Sequence, residues 1–127
     1  ELADVDLKLD IQKINCKSES FKLILCNHVL EHVLDDIRAI DELERILQPL
    51  GILLITVPGD WTRDNIVHFK TPNENGHYRD YGLDFIEILK EKFTEVDVVD
   101  LFKYNKIYKL PIGLTPKHDL AFVCHKI

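Results

Sequence analysis

The sequence has no methionine and only three cysteines among its 127 residues. Cys16, Cys26 and Cys124 show no C-x-x-C spacing, so we expect reduced thiols in a cytoplasmic protein. No apolar run approaches the ~20 residues of a membrane span, and no signal-peptide pattern stands at the start, so no membrane partner is expected. Because position 1 is not methionine, the chain is expected to be part of a longer protein.

Positively charged residues are also fewer than negatively charged ones. Lys and Arg number 16 against 22 Asp and Glu, which leaves a net charge of −6. Proteins that bind a nucleic-acid backbone concentrate Lys and Arg on one face, so no nucleic-acid partner is predicted. Hydrophobic residues make up 46% of the chain and charged residues 30%, an ordinary globular composition. The length suits one domain with a hydrophobic core and is too short for two.

Apolar segments alternate with amphipathic ones along the chain. Five segments have strand patterns: 4–11, 21–26, 52–57, 95–102 and 119–125. One helix is predicted to begin at Asp35 or Asp36, and another carries Phe85, Leu89 and Phe93 at i, i+4 and i+8. This order predicts an α/β, Rossmann-like, mostly parallel sheet with flanking helices. Such sheets bind ligands at the carboxyl ends of their strands.

A histidine- and glutamate-containing motif, Asn27-His28-Val29-Leu30-Glu31-His32, directly follows the second predicted strand. Its H-x-x-E-H pattern matches an inverted zinc-peptidase motif. Three downstream glutamates could supply a third ligand: Glu87, Glu91 and Glu95. However, a zinc peptidase needs both histidines on one helical face, whereas this motif sits at a strand-to-helix corner. The sequence therefore predicts no metal, and a zinc hydrolase stays an alternative.

Several motifs in a fixed order offer a second explanation for the same corner. They are Asp10, Ser20-Phe21, His28–Val33, Glu44–Pro49 and Gly51. In this order they resemble the middle of a class I S-adenosylmethionine-dependent methyltransferase, in particular the type-11 group. The later "GHYRDYGLDFIEILKEKF" is similar to the family's segment before and through its fifth helix. The resemblance implies that 1–127 form a single, partial methyltransferase domain of incomplete class I fold.

The resemblance also implies a cofactor, S-adenosyl-L-methionine, and the residues that contact it. Asp10 resembles the family carboxylate that accepts a hydrogen bond from the adenine amino group, and the Ile11 backbone N–H would reach the ring. Asn27 and His28 would meet the methionine portion and the substrate. For each of these residues the alternative is an ordinary surface or turn position.

Catalysis by methyl transfer needs a general base only when the acceptor must lose a proton. His28, His77 and Asp80 are the candidates, because they titrate or accept protons and lie in predicted loops. Trp61 and Tyr81 are candidates for the wall of an acceptor pocket. The acceptor is expected to be a small molecule or a glycan. Glu31 and His32 could touch the substrate or orient a partner; the structural alternative is that His32 packs at the top of the helix and hydrogen-bonds a backbone carbonyl.

Two features that the resemblance leads us to expect are absent from these 127 residues. The family's glycine-rich loop and its ribose-binding acidic residue have no counterpart here, so these 127 residues alone are expected to be inactive. In the family's sheet, other strands separate the third strand from the fourth. The predicted strand around Val5–Leu9 corresponds to the third strand and 21–26 to the fourth, so 21–26 should have an exposed edge. We expect the two strands to pair directly, or the edge to be buried against a second copy, or the first part of the domain to be disordered or cleaved. A non-catalytic pseudo-enzyme or assembly fragment is the other alternative for function.

Overall fold

The computed structural model describes residues 6–108 and 119–127, with the side chains of 105–108 left out. Helices and strands alternate through most of it. In chain order the elements are β1 (Phe21–Asn27), a 3₁₀ turn (Leu30–His32), α1 (Asp36–Ile46), β2 (Leu47–Thr56), β3 (Val67–His68), β4 (Arg79–Asp80), α2 (Asp84–Lys92), β5 (Glu95–Asp100), α3 (Leu101–Tyr108) and β6 (Leu120–His125). The predicted α/β architecture is confirmed.

The main sheet of the described residues has four strands in the order β1-β2-β6-β5. β1 and β2 are parallel, and the connection through the 3₁₀ turn and α1 makes this possible. β6 lies between β2 and β5 and runs antiparallel to both. This part of the sheet is therefore mixed, where the sequence predicted mostly parallel strands. Hydrophobic periodicity predicts that a segment is a strand but carries no information about its direction.

The first helix begins where the sequence predicted, and the structure decides between the two aspartates. Asp35 is the N-cap, because its Oδ1 accepts a 3.0 Å hydrogen bond from the Arg38 backbone N–H. Asp36 instead turns inward and is only 6% exposed. The buried face of α1 consists of Ala39, Ile40, Leu43 and Ile46, together with Asp36 in the first turn.

The second strand of the sheet is longer than predicted. It includes 47–51, which lie before the predicted strand 52–57, and its pairing with β1 is irregular between Phe21 and Leu23. Leu50 has a left-handed backbone with φ of 63° and is 82% exposed. A side chain at Gly51 would place its Cβ 2.7 Å from the Gln48 carbonyl oxygen. The tight turn therefore needs glycine at 51 and strains Leu50.

Two other expectations differ from the structure, and one agrees with it. Of the predicted strand 4–11, Asp6–Leu9 form no strand and no pairing with β1, while Val5 lies outside the described residues. Phe21–Cys26 is a strand at the edge of the described sheet, as expected, and it leaves Leu23 and Leu25 60% and 62% exposed. Leu101 and Phe102 begin α3 instead of ending a strand. A periodic pattern reports the residues' polarity but not which neighbours cover them.

The hydrophobic core lies between the sheet and the two helices α1 and α2, which also contact each other. Phe85 on α2 packs between Tyr81 and Phe122, with ring-centroid distances of 4.5 Å and 5.3 Å. Phe85 and Leu89 are fully buried, as the predicted helix stripe required. Among the residues that the structure describes, none of the helices combines the length and the apolar character of a membrane crossing.

Candidate functional site

A cavity of about 560 Å³ opens beside the carboxyl end of β1. Its wall combines the segment around Asp10, the end of β1 and the corner that follows β1. The lining residues are Leu9, Asp10, Ile11, Gln12, Leu25, Cys26, Val29, His32, Val33, Leu34, Leu43 and Tyr78. Two of the predicted cofactor-binding residues, Asp10 and Ile11, thus line one cavity with His32, at the sheet edge where an α/β fold binds ligands.

The Asp10 carboxylate has one oxygen engaged and one available. Oδ1 accepts hydrogen bonds from the Gln12 backbone N–H at 2.9 Å and from Gln12 Nε2 at 3.3 Å. Oδ2 accepts none from any described residue. The local turn therefore orients the carboxylate, and Oδ2 remains an acceptor for a ligand amine.

Asn27 and His28, the other two predicted cofactor residues, do not line this cavity. Asn27 ends β1, and its side-chain Oδ1 accepts a 3.2 Å hydrogen bond from the Thr56 hydroxyl. His28 has a positive φ of 49° and an exposed side chain, with Nδ1 3.5 Å from Glu31 Oε1. A left-handed backbone is unusual for histidine, and it marks the point where the chain leaves the strand.

His77, a predicted base, lies against the corner motif. Its ring contacts that of His32 edge to face, with centroids 4.7 Å apart and an interplanar angle of 80°. Ligand atoms of Glu31, His32 and His77 all lie within 4.8 Å of one another. The structure therefore groups two histidines and a carboxylate from two separate segments. The sequence contained His77 as a base candidate only, and no local spacing relates it to the corner.

Asp80 and Tyr81 have other partners. Asp80 Oδ2 accepts a 2.9 Å hydrogen bond from Arg63 Nη2, so this predicted base is held in an ion pair. Tyr81 is fully buried, and its hydroxyl donates a 2.8 Å hydrogen bond to Asp36 Oδ2. Burial, together with the charge and hydrogen bond of Asp36, raises the Tyr81 pKa. Neither Tyr81 nor Trp61, the two predicted wall residues, lines the cavity described above.

Arg79 braces the corner, a role that sequence reasoning missed. The side chain is 3% exposed, and Nη1 donates to the carbonyls of Leu30 and Val33, each at 2.7 Å. Nη2 donates to the Leu34 carbonyl at 2.8 Å. The carbonyl groups that leave the 3₁₀ turn are thereby satisfied by one guanidinium group. No sequence signal separates a buried arginine from the common exposed one.

The surroundings of Cys26 in the cavity wall disfavour a negative charge on its thiol. Burial, and secondarily the nearby charge of Glu31, raises the pKa of Cys26 to about 12. Cys26 is therefore a neutral apolar wall residue at physiological pH. It offers no thiolate for nucleophilic chemistry or metal binding.

Residues 2–55, which contain Asp10, β1 and the corner motif, match the family model of the methyltransferase domain, type 11. Solved structures of S-adenosylmethionine-dependent methyltransferases superpose on nearly the whole chain. The chain has the class I methyltransferase fold. Its cavity thus lies in a methyltransferase fold, at the end of the strand that carries the corner motif. No curated protein sequence matches the chain.

Three solved methyltransferases illustrate the likeness. The Burkholderia thailandensis 1,6-didemethyltoxoflavin-N1-methyltransferase, which holds 1,6-didemethyltoxoflavin and S-adenosylhomocysteine, is 17% identical with a TM-score of 0.62 over 93% of this chain and 48% of its own. An S-adenosylmethionine-dependent methyltransferase of Thermotoga maritima is 19% identical. The superposition has a TM-score of 0.63 and covers 95% of this chain and 63% of that protein. The Haemonchus contortus phosphoethanolamine N-methyltransferase 2 is 14% identical. Its superposition has a TM-score of 0.60 and covers 92% of this chain and 36% of that protein. The chain thus spans less than two thirds of each of these methyltransferases.

Proposed function

We propose that the protein carrying this chain is an S-adenosylmethionine-dependent methyltransferase. The observation that carries the proposal is the cavity at the end of β1, where Asp10 and Ile11 face the corner motif within a class I methyltransferase fold. The match of residues 2–55 to the methyltransferase domain supports it independently, since that span includes every lining residue of the cavity except Tyr78.

The residues present fit the adenine end of such a cofactor. A volume of about 560 Å³ lies in the range of small-molecule sites, roughly 300–1,000 Å³. Asp10 Oδ2 is available to accept from an exocyclic amine, and Leu9, Val29 and Leu34 provide apolar surface for a flat ring. The Ile11 N–H, in the same wall, would donate to a ring nitrogen.

Methyl transfer requires alignment more than acid–base chemistry. When bound, the cofactor supplies a methyl group on a sulfonium, and displacement at that carbon is in line. The chain contributes a desolvated wall and groups that orient the acceptor. If the acceptor must lose a proton, we propose His77 before Asp80 as the base, because the Asp80 carboxylate is already held in an ion pair with Arg63. His28 is exposed at the same corner and is the other base that we propose.

We propose a small-molecule acceptor, with a glycan as the alternative. The methyltransferase structures from Burkholderia thailandensis and Haemonchus contortus both contain small molecules beside S-adenosylhomocysteine, namely 1,6-didemethyltoxoflavin and phosphomonomethylethanolamine. The net charge of −6 also disfavours a polyanionic nucleic acid. A panel of amines and hydroxyl compounds, followed by mass spectrometry for a 14-dalton gain, would identify the acceptor class.

Isothermal calorimetry with S-adenosylmethionine and S-adenosylhomocysteine tests cofactor binding by the natural polypeptide that carries this chain. Asp10→Asn keeps the Oδ1 contacts with Gln12 and removes the charge, so affinity should fall by about 1–2 kcal/mol with little change in stability. Asp6→Asn is the matched control, because Asp6 does not line this cavity. No binding at millimolar ligand would contradict the proposed function, and equal affinities of the two variants would remove Asp10 from the site.

A further inference from the structure

The Glu31 side chain is buried but incompletely paired. It is 1% exposed, and its Oε2 has no hydrogen-bond partner among the described residues. Oε1 lies 3.5 Å from His28 Nδ1 and 3.8 Å from His32 Nε2, both longer than ordinary hydrogen bonds. A buried carboxylate normally has close partners, because burial of an uncompensated charge is costly. The position of Glu31 therefore calls for a cationic partner between these groups.

The second observation is the orientation of His32. Its Nδ1 lies 3.2 Å from the Gly76 carbonyl oxygen. A carbonyl only accepts, so we assign the proton to Nδ1, which leaves the lone pair of Nε2 facing Glu31. A histidine that ligates a metal through one nitrogen commonly donates from the other to a backbone carbonyl or carboxylate. His32 thus already has the outer contact of a metal ligand.

The third donor comes from the segment before β4 and is held in place by the backbone. The Tyr78 N–H donates a 2.7 Å hydrogen bond to the Glu31 carbonyl, so residue 77 is adjacent to the corner. The loop before it is closed by the Asn73 Oδ1, which accepts from the His77 N–H at 3.0 Å. His77 consequently packs its ring on His32. Two imidazoles and one carboxylate converge without any ligand atom more than 4.8 Å from another.

We propose that Glu31, His32 and His77 bind a divalent first-row transition-metal cation of the Zn²⁺ type. Two imidazoles with a carboxylate form a donor set suited to such ions. Ligands at about 2.0–2.2 Å from zinc lie roughly 3.4 Å apart, so ligand atoms that are up to 4.8 Å apart need to approach by up to about 1.4 Å. His77 is only half-buried and can close that gap by side-chain rotation. Water completes the coordination; with the ion bound, His77 is a ligand and His28 remains as the base candidate.

This assignment revises the expectation of no metal and assigns no hydrolase chemistry. That expectation rested on the lack of a helical face shared by His28 and His32, and the structure places a different histidine beside His32. Because His32 also lines the cavity, the bound ion would lie at the edge of the proposed cofactor and acceptor site. Its open position would then be available to an oxygen or nitrogen atom of the acceptor.

Titration of the metal-free, tag-free natural polypeptide with Zn²⁺ alone tests the site. The wild type should bind one equivalent, and His77→Ala and His32→Ala should each weaken binding at least about 10-fold, since even outer contacts of ligands are worth about 10–100-fold. His68→Ala is the matched control, because His68 is exposed on β3 and does not belong to the cluster. The same titration with Co²⁺ should produce tetrahedral visible absorption that His77→Ala abolishes.

Two results would overturn the proposal: no stoichiometric binding by the wild type, or equal Zn²⁺ affinities of His77→Ala and His68→Ala. Either would mean that the Glu31 carboxylate pairs only with its histidines. Glu31→Gln tests the buried ligand but also removes a buried charge, so its folding is checked by circular dichroism. His77→Ala does not share that difficulty, because its side chain is not in the core. Cofactor binding is measured separately, so a failure here leaves the proposed methyltransferase unaffected.

Discussion

The hydroxyl of Tyr81 donates a 2.8 Å hydrogen bond to Oδ2 of Asp36, and both side chains are buried. Arg79 Nε lies 3.5 Å from the same carboxylate oxygen. This contact joins the start of α1 to the residue after β4 and thereby fixes the corner against the segment that carries His77. A buried carboxylate with two partners of this kind is stabilising only while both remain.

Tyr81→Phe should lower the free energy of unfolding by about 1–3 kcal/mol, because the buried Asp36 carboxylate loses its shortest hydrogen bond. Urea denaturation followed by circular dichroism measures the change. Tyr78→Phe is the control, since the Tyr78 hydroxyl has no hydrogen bond to any described residue, and it should change stability by less than about 0.5 kcal/mol. Similar losses in the two variants would show that the hydrogen bond is not the cause.

Arg79→Lys should destabilise the fold by at least about 2 kcal/mol, because a lysine ammonium cannot reach the carbonyls of Leu30, Val33 and Leu34 together. Thermal and urea denaturation both report the loss. Arg38→Lys is the control. Arg38 is exposed and donates to the Gln12 carbonyl through Nε, so its replacement should cost less than about 1 kcal/mol. If Arg79→Lys were as stable as Arg38→Lys, the hydrogen bonds of Arg79 to these three carbonyls would not be stabilising the corner.

Leu50→Gly should be more stable than Leu50→Ala by up to about 1 kcal/mol. The left-handed φ of 63° strains any residue with a Cβ, and this relief exceeds the conformational entropy that glycine loses on folding. Leu50→Ala keeps the Cβ and removes a side chain that is 82% exposed, so it should match the wild type. Chemical denaturation of the three proteins compares them. A glycine variant less stable than the alanine variant would mean that the turn is not strained.

Cys16 should react first with a thiol reagent in the native protein. Cys26 and Cys124 are buried, and burial raises the pKa of each to about 12. At pH 8 such a thiol is ionised in about one molecule in ten thousand, and the thiolate is the reactive form. Mass spectrometry after iodoacetamide treatment should show one rapid modification, which Cys16→Ser removes. Rapid double labelling of Cys16→Ser would show that the two buried thiols are accessible.

Self-association through the edge of β1 stays a prediction that solution measurements can test. Leu23 and Leu25 are 60% and 62% exposed on a strand whose outer edge has no partner among the described residues. Light scattering on residues 1–127 should show an apparent mass that rises with concentration. Leu23→Lys should suppress the rise, whereas Leu34→Lys, at a position 70% exposed outside the sheet, should not. A constant monomer mass for the unmodified chain would contradict the prediction.

Local sequence determined the elements that depend on neighbours within a turn or a strand. Spacing along the chain predicts the strand at 21–26, an N-cap at Asp35 or Asp36, and the buried stripe of Phe85 and Leu89. Capping and periodicity act over only a few residues, so the local sequence is enough to predict them. The ordered motifs from Asp10 to Gly51 also predicted the class I methyltransferase fold.

The tertiary structure alone decided which distant groups meet. It placed Arg79 under three carbonyls, left β1 at an edge and brought His77 to His32 through the Tyr78 N–H bond to the Glu31 carbonyl. No periodicity relates residues so far apart, because their approach depends on how complete elements pack and pair. The fold class was therefore readable from the sequence, whereas the Glu31, His32 and His77 cluster became apparent only in three dimensions.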